Sequence, residues 1–341
     1  MQAAVYYNNN DIRVEEVPKP VVGDQELLVK VLASGICGSD VMEWYRIKKA
    51  PLVLGHEIAG EIVEVGRNVE AFKIGDRVFV SHHVPCNTCR YCLNEHHTLC
   101  DTLRTTNFDP GGFAEYIRIP AINVDRGVFK LPDNISFDDG TFIEPVGCVV
   151  RGLRKARFKA GSTALVIGSG ISGLLNIQLL KAMGAANIIA SDISQTRLEA
   201  AIRLGANSTI DARENLPERV RELNNGRLAD LVIVCAAAPQ AIKNSMECID
   251  RGGVLLLFAV PEAGLDIPVH LFGLWRDGIT LLNTYGAAPI DLMESIELIS
   301  SGVIEPSRLI TDRFPLSKSS EAFQRMIGGG ATIKVIIEPH S

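Results

Sequence analysis

The stretch TALVIGSGISGLLNIQLLKAMGAANIIASD, residues 163–192, admits few folds. The apolar run 164–167 reads as a buried strand, and it opens into Gly168-x-Gly170-x-x-Gly173. Apolar residues at Ile171, Leu174, Leu175, Leu179 and Met183 follow at helical spacing, and Gly184 ends that pattern. A second strand, NIIASD, closes on Asp192 about 20 residues beyond the glycines. The first glycine permits the turn and the second lets backbone approach a pyrophosphate. The third lets helix and strand pack, and the acid accepts from a ribose hydroxyl. Strand, turn, helix and acid in this order predict a dinucleotide-binding unit. An acid at 192 favours NAD, because a 2′-phosphate would meet like charge there. Arg197 reads either as a guanidinium lying over the adenine ring or as an ordinary solvated helix residue.

The alternation continues. Helices are expected at 194–204, 214–224 and 240–249, and strands at 208–211, 231–236 and 254–260. A βαβ series of this kind implies a parallel sheet covered on both faces. The charge-free stretch 161–180 has about the length of a bilayer span, but its glycines, serines, Asn176 and Gln178 fit this unit better than a membrane. At 341 residues and 47% hydrophobic content, the chain can build a second core besides.

Before this unit, VPCNTCRYCLNEHHTLC at 84–100 holds four of the eight cysteines and two of the seven histidines. The N-terminus, MQAAVYYNNNDIRVEEV, has neither a basic start nor an apolar core, so the expected setting is a reducing cytoplasm. Close-set thiols there hold metal more often than each other. The spacing Cys86-x2-Cys89-x2-Cys92-x7-Cys100 suits a closed tetrahedron of thiolates around a structural zinc. Free thiols or a redox pair are the alternatives, and His96 and His97 read as surface residues.

Two further metal-competent residues lie upstream, Cys37 in SGICGSD and His56 in LGHEIAGEIVEVGRNV. Gly55, Gly60, Gly66 and the pair Gly75-Asp76 punctuate a strand-rich segment, which suggests a β-barrel-like unit with tight turns. In FIEPVGC, Glu144 stands among apolar residues, where a buried carboxylate needs a cation or partner. Cys37, His56 and a carboxylate would leave zinc one open position, as a catalytic site requires. Lys+Arg 34 against Asp+Glu 40, with no dense basic run, argues against a nucleic-acid partner.

Across essentially its whole length the chain resembles the zinc-dependent medium-chain alcohol dehydrogenases, particularly the polyol (sorbitol-type) and threonine branches. The resemblance is carried by Gly55-His56-Glu57-x2-Gly60-x5-Gly66, the four-cysteine lobe and GSGISG, in that order. It implies an α/β chain: a GroES-like, β-rich catalytic domain at 1–150, a Rossmann domain with a doubly wound parallel sheet at 151–287, and a catalytic return at 288–341. It implies two zincs per subunit and NAD. Cys37, His56 and Glu57 or Glu144 would ligate the catalytic zinc, with the choice of carboxylate open. Ser39 would be the proton-relay hydroxyl, its alternative being a turn-capping serine. Gly168, Gly170, Ile171, Gly173, Asp192 and Arg197 would seat the cofactor. Relatives commonly carry a histidine where this chain has Met42, so the proton would leave through Ser39 and the cofactor ribose, or with help from Asp40 or Glu43.

The activity so implied is hydride transfer to NAD from a secondary alcohol of polyol type, taken up as alkoxide at zinc. The alternatives are an L-threonine-like amino alcohol, a 2,3-butanediol-like diol, and a silent binding protein. Trp44, Tyr45, Phe113, Tyr116 and Tyr285 are candidate substrate neighbours, with core packing the alternative for the first four; the loop 106–116 would form one wall. The only partners expected are a small-molecule alcohol and copies of the same chain, as homodimer or homotetramer.

Overall fold

The strand Thr163–Ile167 is buried at every position and lies inside a six-stranded, wholly parallel sheet. This is the computed structural model of the chain, describing residues 1–259 and 261–341. The sheet runs Ser208–Asp211, Asn187–Asp192, Thr163–Ile167, Ala229–Val234, Ile249–Leu257, Thr280–Asn283. From the first strand the chain winds outward one way and then the other, the doubly wound order. Burial on both faces explains the unbroken apolar run 164–167. Leu165, Ile167, Ile189, Ile210, Val232, Val234 and Leu255 form the core on one side.

The helices Gln195–Leu204, Leu216–Leu223 and Pro239–Met246 fall near the expected windows. Two boundaries differ for a physical reason. The helix expected to reach 249 stops at Met246, because Ile249 already begins a strand. That strand starts ahead of 254 because Asp250, Arg251, Gly252 and Gly253 interrupt its apolar pattern without interrupting its backbone. The strand expected at 231–236 is Ala229–Val234. The far end of the one expected at 254–260, Val260, lies outside the described residues.

This sheet belongs to a compact unit, Cys148–Gly286; Met1–Gly147 and Ala287–Ser341 form the other. In that second unit a seven-stranded sheet runs Ile310–Pro315, Lys334–Glu338, Leu27–Gly35, Glu57–Val65, Arg77–Val80, Val128–Lys130, with Tyr116–Ile119 pairing Leu27–Gly35. The smaller sheet joins Asp11–Glu16, Gln2–Asn8 and Leu52–Val53. Leu27, Val29, Val31, Ile58, Ile62, Val78 and Val80 fill one core. A strand from the C-terminal stretch thus lies directly beside one from the first forty residues. That pairing sets the geometry of the site.

Candidate active site

Cys37 leaves the strand Leu27–Gly35 and caps the short turn Gly38–Val41. Its thiol accepts from the Ser39 amide at 3.4 Å, while the Asp40 carboxylate accepts from the Cys37 amide at 3.0 Å. This reciprocal cap fixes the thiol's direction. His56 stands just ahead of the strand Glu57–Val65. One ligand atom each from Cys37, His56 and Glu57 lie within 4.8 Å of one another. Glu144 is not in that group; it sits buried in the first turn of the helix Ile143–Lys155.

A thiol, an imidazole and a carboxylate are a zinc donor set, and three protein ligands leave a fourth position open. The electrostatics suit a cation. The Asp40 carboxylate is fully buried, with Oδ1 3.4 Å from His56 Nδ1 and 3.3 Å from Arg46 Nη2. Burial opposes a charged His56, yet the Asp40 carboxylate and the Cys37 thiol together raise its pKa well above the usual imidazole value. Burial would likewise raise the Asp40 pKa, and the charges of His56 and Arg46 with the Cys37 amide bring it below the usual carboxylate value. Holding His56 by Nδ1 leaves Nε2 for a metal, the usual way an outer carboxylate sets the tautomer of a ligating histidine.

Sequence reasoning missed Lys334. Its side chain is fully buried and its ammonium binds Glu57 Oε2 and the Ile36 carbonyl, the latter at 3.2 Å. Gly35 makes this possible: it pairs with Ile336 on one side and with Glu57 on the other. A Cβ at Gly35 would stand 2.5 Å from the Glu57 oxygen and 2.7 Å from the Lys334 chain. The glycine inside the strand was the one available signal. Removing one partner of a buried pair leaves an uncompensated charge. Lys334→Met should therefore cost the metal-free protein about 3–5 kcal/mol in denaturant unfolding, and Lys334→Arg much less. A loss under about 1 kcal/mol for Lys334→Met would mean that Glu57 does not depend on this lysine.

The Ser39 hydroxyl is engaged on two sides. It lies 3.4 Å from Cys37 Sγ, and Arg46 Nη2 donates to its oxygen at 2.8 Å while Arg46 Nε donates to the Ser39 carbonyl at 2.9 Å. Met42 has no polar atom to continue a relay. Asp40 is consumed by His56 and Arg46, whereas Glu43 is exposed and accepts from the Asn9 amide at 3.3 Å. Arg46 also lies 4.8 Å from the Tyr45 ring centre, and Trp44 packs against Tyr45 at 5.8 Å. Tyr45 thus supports the arginine while remaining exposed.

Two histidines that sequence reasoning passed over complete this face. The His82 ring lies 4.8 Å from His56 and 3.8 Å from His83, and burial lowers the pKa of both, His83 to about 4. Phe113 is corrected: it is 1% exposed, packs edge-on against Phe323 at 5.6 Å and belongs to the core. Tyr116 is half-buried, under Lys19 and against His340, and Tyr285 is exposed.

The four-cysteine lobe is gathered as a second cluster. Sulfurs bound to one zinc at about 2.3 Å stand about 3.8 Å apart. Cys89 and Cys92 are 3.6 Å apart, and Cys86 and Cys92 4.0 Å. The Thr88 amide and hydroxyl and the Cys89 amide hold the Cys86 thiol down to about 5, ready to be a thiolate. His96 is exposed and His97 half-buried; neither belongs to the cluster.

In the other unit, the glycine turn is built as its sequence demands. Gly168 has φ +94°, and a Cβ on Gly173 would stand 1.9 Å from the Gly168 carbonyl, whereas one on Gly170 would meet nothing within 4 Å. Ile171 begins the helix Ile171–Ala182. Asp192 accepts from the Ser169 amide at 2.7 Å and the Ser194 amide at 2.9 Å, tying the turn to the end of the second strand. Arg197 lies half-buried on the following helix, Gln195–Leu204.

Two family descriptions match the chain: "Alcohol dehydrogenase GroES-like domain" over residues 23–133 and "Zinc-binding dehydrogenase" over 172–301. Sorbitol dehydrogenase of Bacillus subtilis (strain 168) is 32% identical, over 100% of this chain and 98% of its own. L-threonine 3-dehydrogenase of Klebsiella pneumoniae (strain 342) is 32% identical over 93% and 94%. Among solved structures, 2R,3R-butanediol dehydrogenase from Bacillus subtilis superposes with a TM-score of 0.86 at 28% identity, covering 99% of each chain.

Proposed function

We propose, for a chain that belongs to the zinc-dependent medium-chain alcohol dehydrogenases and stands with their polyol and threonine branches, oxidation of a secondary alcohol of polyol type with NAD. That it is a zinc-dependent alcohol dehydrogenase using a nicotinamide cofactor follows from the family. The observation that carries the finer reading is the meeting of Cys37, His56 and Glu57 beside the Ser39 hydroxyl.

In this reading Cys37, His56 and Glu57 hold a catalytic zinc, and Cys86, Cys89, Cys92 and Cys100 a structural one. Bound at the first site, zinc supplies a Lewis acid that lowers the pKa of a hydroxyl placed in its open position. Asp40 orients His56, and Lys334 balances Glu57. Ser39 Oγ receives the proton released by the alcohol, its oxygen held by Arg46. With Met42 in place of a relay group, Ser39 passes that proton onward without a second side chain. Gly168, Gly170, Ile171, Gly173, Asp192 and Arg197 would seat a dinucleotide, which would supply a nicotinamide as acceptor for the hydride lost from the carbinol carbon.

NAD is favoured because the Asp192 carboxylate keeps lone pairs for ribose hydroxyls and repels a 2′-phosphate. Initial rates on sorbitol, xylitol, 2,3-butanediol and L-threonine, each with NAD and NADP, test both choices. The expected outcome is a polyol preferred and NAD favoured at least about tenfold in kcat/KM, a difference of about 1.4 kcal/mol. NADP preferred, or L-threonine the best substrate, would overturn the corresponding half.

Self-association is also part of the proposal. The edge strand Thr280–Asn283 exposes Leu281, and the nearby helix Leu271–Asp277 exposes Leu271, Phe272 and Trp275. An open strand edge beside apolar side chains is a pairing surface. Sedimentation should give a dimer or tetramer, and a monomer at micromolar concentration would contradict it. All eight cysteines are free thiols, which suits a cytoplasmic setting.

A further inference from the structure

The turn between the strands Gln2–Asn8 and Asp11–Glu16 reads Asn-Asn-Asn at 8–10, and two of these asparagines behave differently. Asn8 bonds its own turn in the ordinary way, its Oδ1 accepting from the Asn10 amide at 2.9 Å. Asn9 has no left-handed backbone to explain it, and its polar groups all reach outside the turn. Oδ1 accepts from the Tyr6 hydroxyl at 2.9 Å, and Nδ2 donates to the Val41 carbonyl at 2.9 Å. The Asn9 amide donates to Glu43 Oε1 at 3.3 Å. Its carbonyl accepts at 2.6 Å from Gln324 Nε2, on the helix Ser319–Gly328. The strand pairing slips by one residue between Tyr6 and Asn8, the kind of bulge that re-aims a strand end.

Val41 and Glu43 flank Met42, in the stretch that carries Ser39 and Arg46. From Gly38 to Lys49 only Asp40 is buried; every other residue is half-buried or exposed. Burial therefore does little to fix this stretch. Its internal bonds, Asp40 on the Cys37 amide and Arg46 on the Ser39 carbonyl and hydroxyl, fix its shape rather than its place. What ties it to the rest of the unit includes Asp40 against His56 and half-buried Val41 on the core around Tyr6 and Phe323. The two bonds from Asn9 complete the hold, one on each side of Met42.

We infer that Asn9 is a positioning residue for proton transfer, clasping this stretch so that the Ser39 hydroxyl and the Arg46 fork stand where the alcohol needs them. This rests on the reading of Ser39 as the group that receives the alcohol's proton. Ser39 Oγ accepts from Arg46 Nη2 at 2.8 Å, so one of its two lone pairs is taken and one is left for the alcohol. A hydroxyl with one lone pair to offer tolerates little displacement, and a shift of about 1 Å can cost about a hundredfold in rate.

The test uses the zinc-loaded chain and the variants Asn9→Asp and Asn9→Ala. Aspartate suits a turn as well as asparagine and still accepts from Tyr6, but it faces the Val41 carbonyl with an oxygen where the donor stood. Both variants should lower kcat/KM for the best alcohol by about 10–100-fold, with zinc content, calorimetric NAD affinity and unfolding midpoint near the parent's. The solvent deuterium isotope effect on that kcat/KM should rise above the parent's, because the proton step then limits more of the rate. Hydrogen exchange across 38–46 should quicken in both variants while the strand Leu27–Gly35 keeps its protection. Parent-level kcat/KM in Asn9→Asp would overturn the inference and leave Asn9 a turn residue. Activity lost together with zinc, or with a lowered unfolding midpoint, would overturn it as well. A parent chain that oxidises no alcohol would sink the dehydrogenase reading, and exchange across 38–46 would still judge Asn9. Quickened exchange there would sustain its hold on the stretch, and unchanged exchange would overturn it.

Discussion

Cys37→Ser should lower kcat/KM for the best alcohol by about a thousandfold to ten-thousandfold. Lewis-acid stabilisation of developing oxygen charge is worth several kcal/mol, and each 1.36 kcal/mol is about tenfold in rate. Serine keeps the turn: an oxygen can still cap Gly38–Val41 in place of the thiol that accepts from Ser39. It does not keep the metal ligand, because an alcohol stays protonated where a thiol near a cation does not. Unfolding midpoints should therefore stay near the parent value while activity disappears. Asp40→Asn should act more mildly, about 10–100-fold, through the orientation of His56. Full activity in Cys37→Ser would remove the metal centre from the chemistry.

Cys100→Ser should undo the four-cysteine lobe. Its buried cluster comprises Cys92, Cys100 and Leu103, with Cys86 and Cys89 packed against it. One buried leucine contributes about 2 kcal/mol, while a structural zinc in a small domain is worth on the order of 10 kcal/mol. Without the ion the lobe has nothing comparable to hold Asn87 and Glu95 in their left-handed conformations, at φ 63° and 62°. The rest of that unit has its own core around Leu27, Val29, Ile58 and Val78. Hydrogen exchange should show residues 84–105 losing protection while the strand Leu27–Gly35 keeps it. Unchanged protection across 84–105 in metal-stripped Cys100→Ser protein would show that the lobe stands without its ion.

What the sequence made legible follows from how local each constraint is. Gly173 was readable because only glycine fits 1.9 Å from the Gly168 carbonyl, and the strand and helix flanking it carry their own periodicities. The cysteine cluster was readable because all four thiols fall within fifteen residues. Lys334 was not, because its partner lies 277 positions away and an isolated lysine in ATIKVIIEP gives no sign of complete burial. Arg46 in YRIKK and His82-His83 after the strand Arg77–Val80 carry no local signal of their place. Only the fold turns Arg46 onto Ser39 and His82 beside His56. For Phe113 the sequence left pocket and core open, because an aromatic after two glycines suits either, and the fold packs it in the core against Phe323.

The most direct measurement is zinc content by elemental analysis on the parent chain, on Cys37→Ser/His56→Ala, and on Cys100→Ser, each with activity recorded on the same sample. The expected result is two equivalents per active parent chain, and one in the double variant with a protected cysteine lobe and no turnover. Cys100→Ser should lose the lobe's ion. Two equivalents retained after Cys37 and His56 are both replaced, or parent-level turnover with one, would contradict a catalytic ion held by these residues.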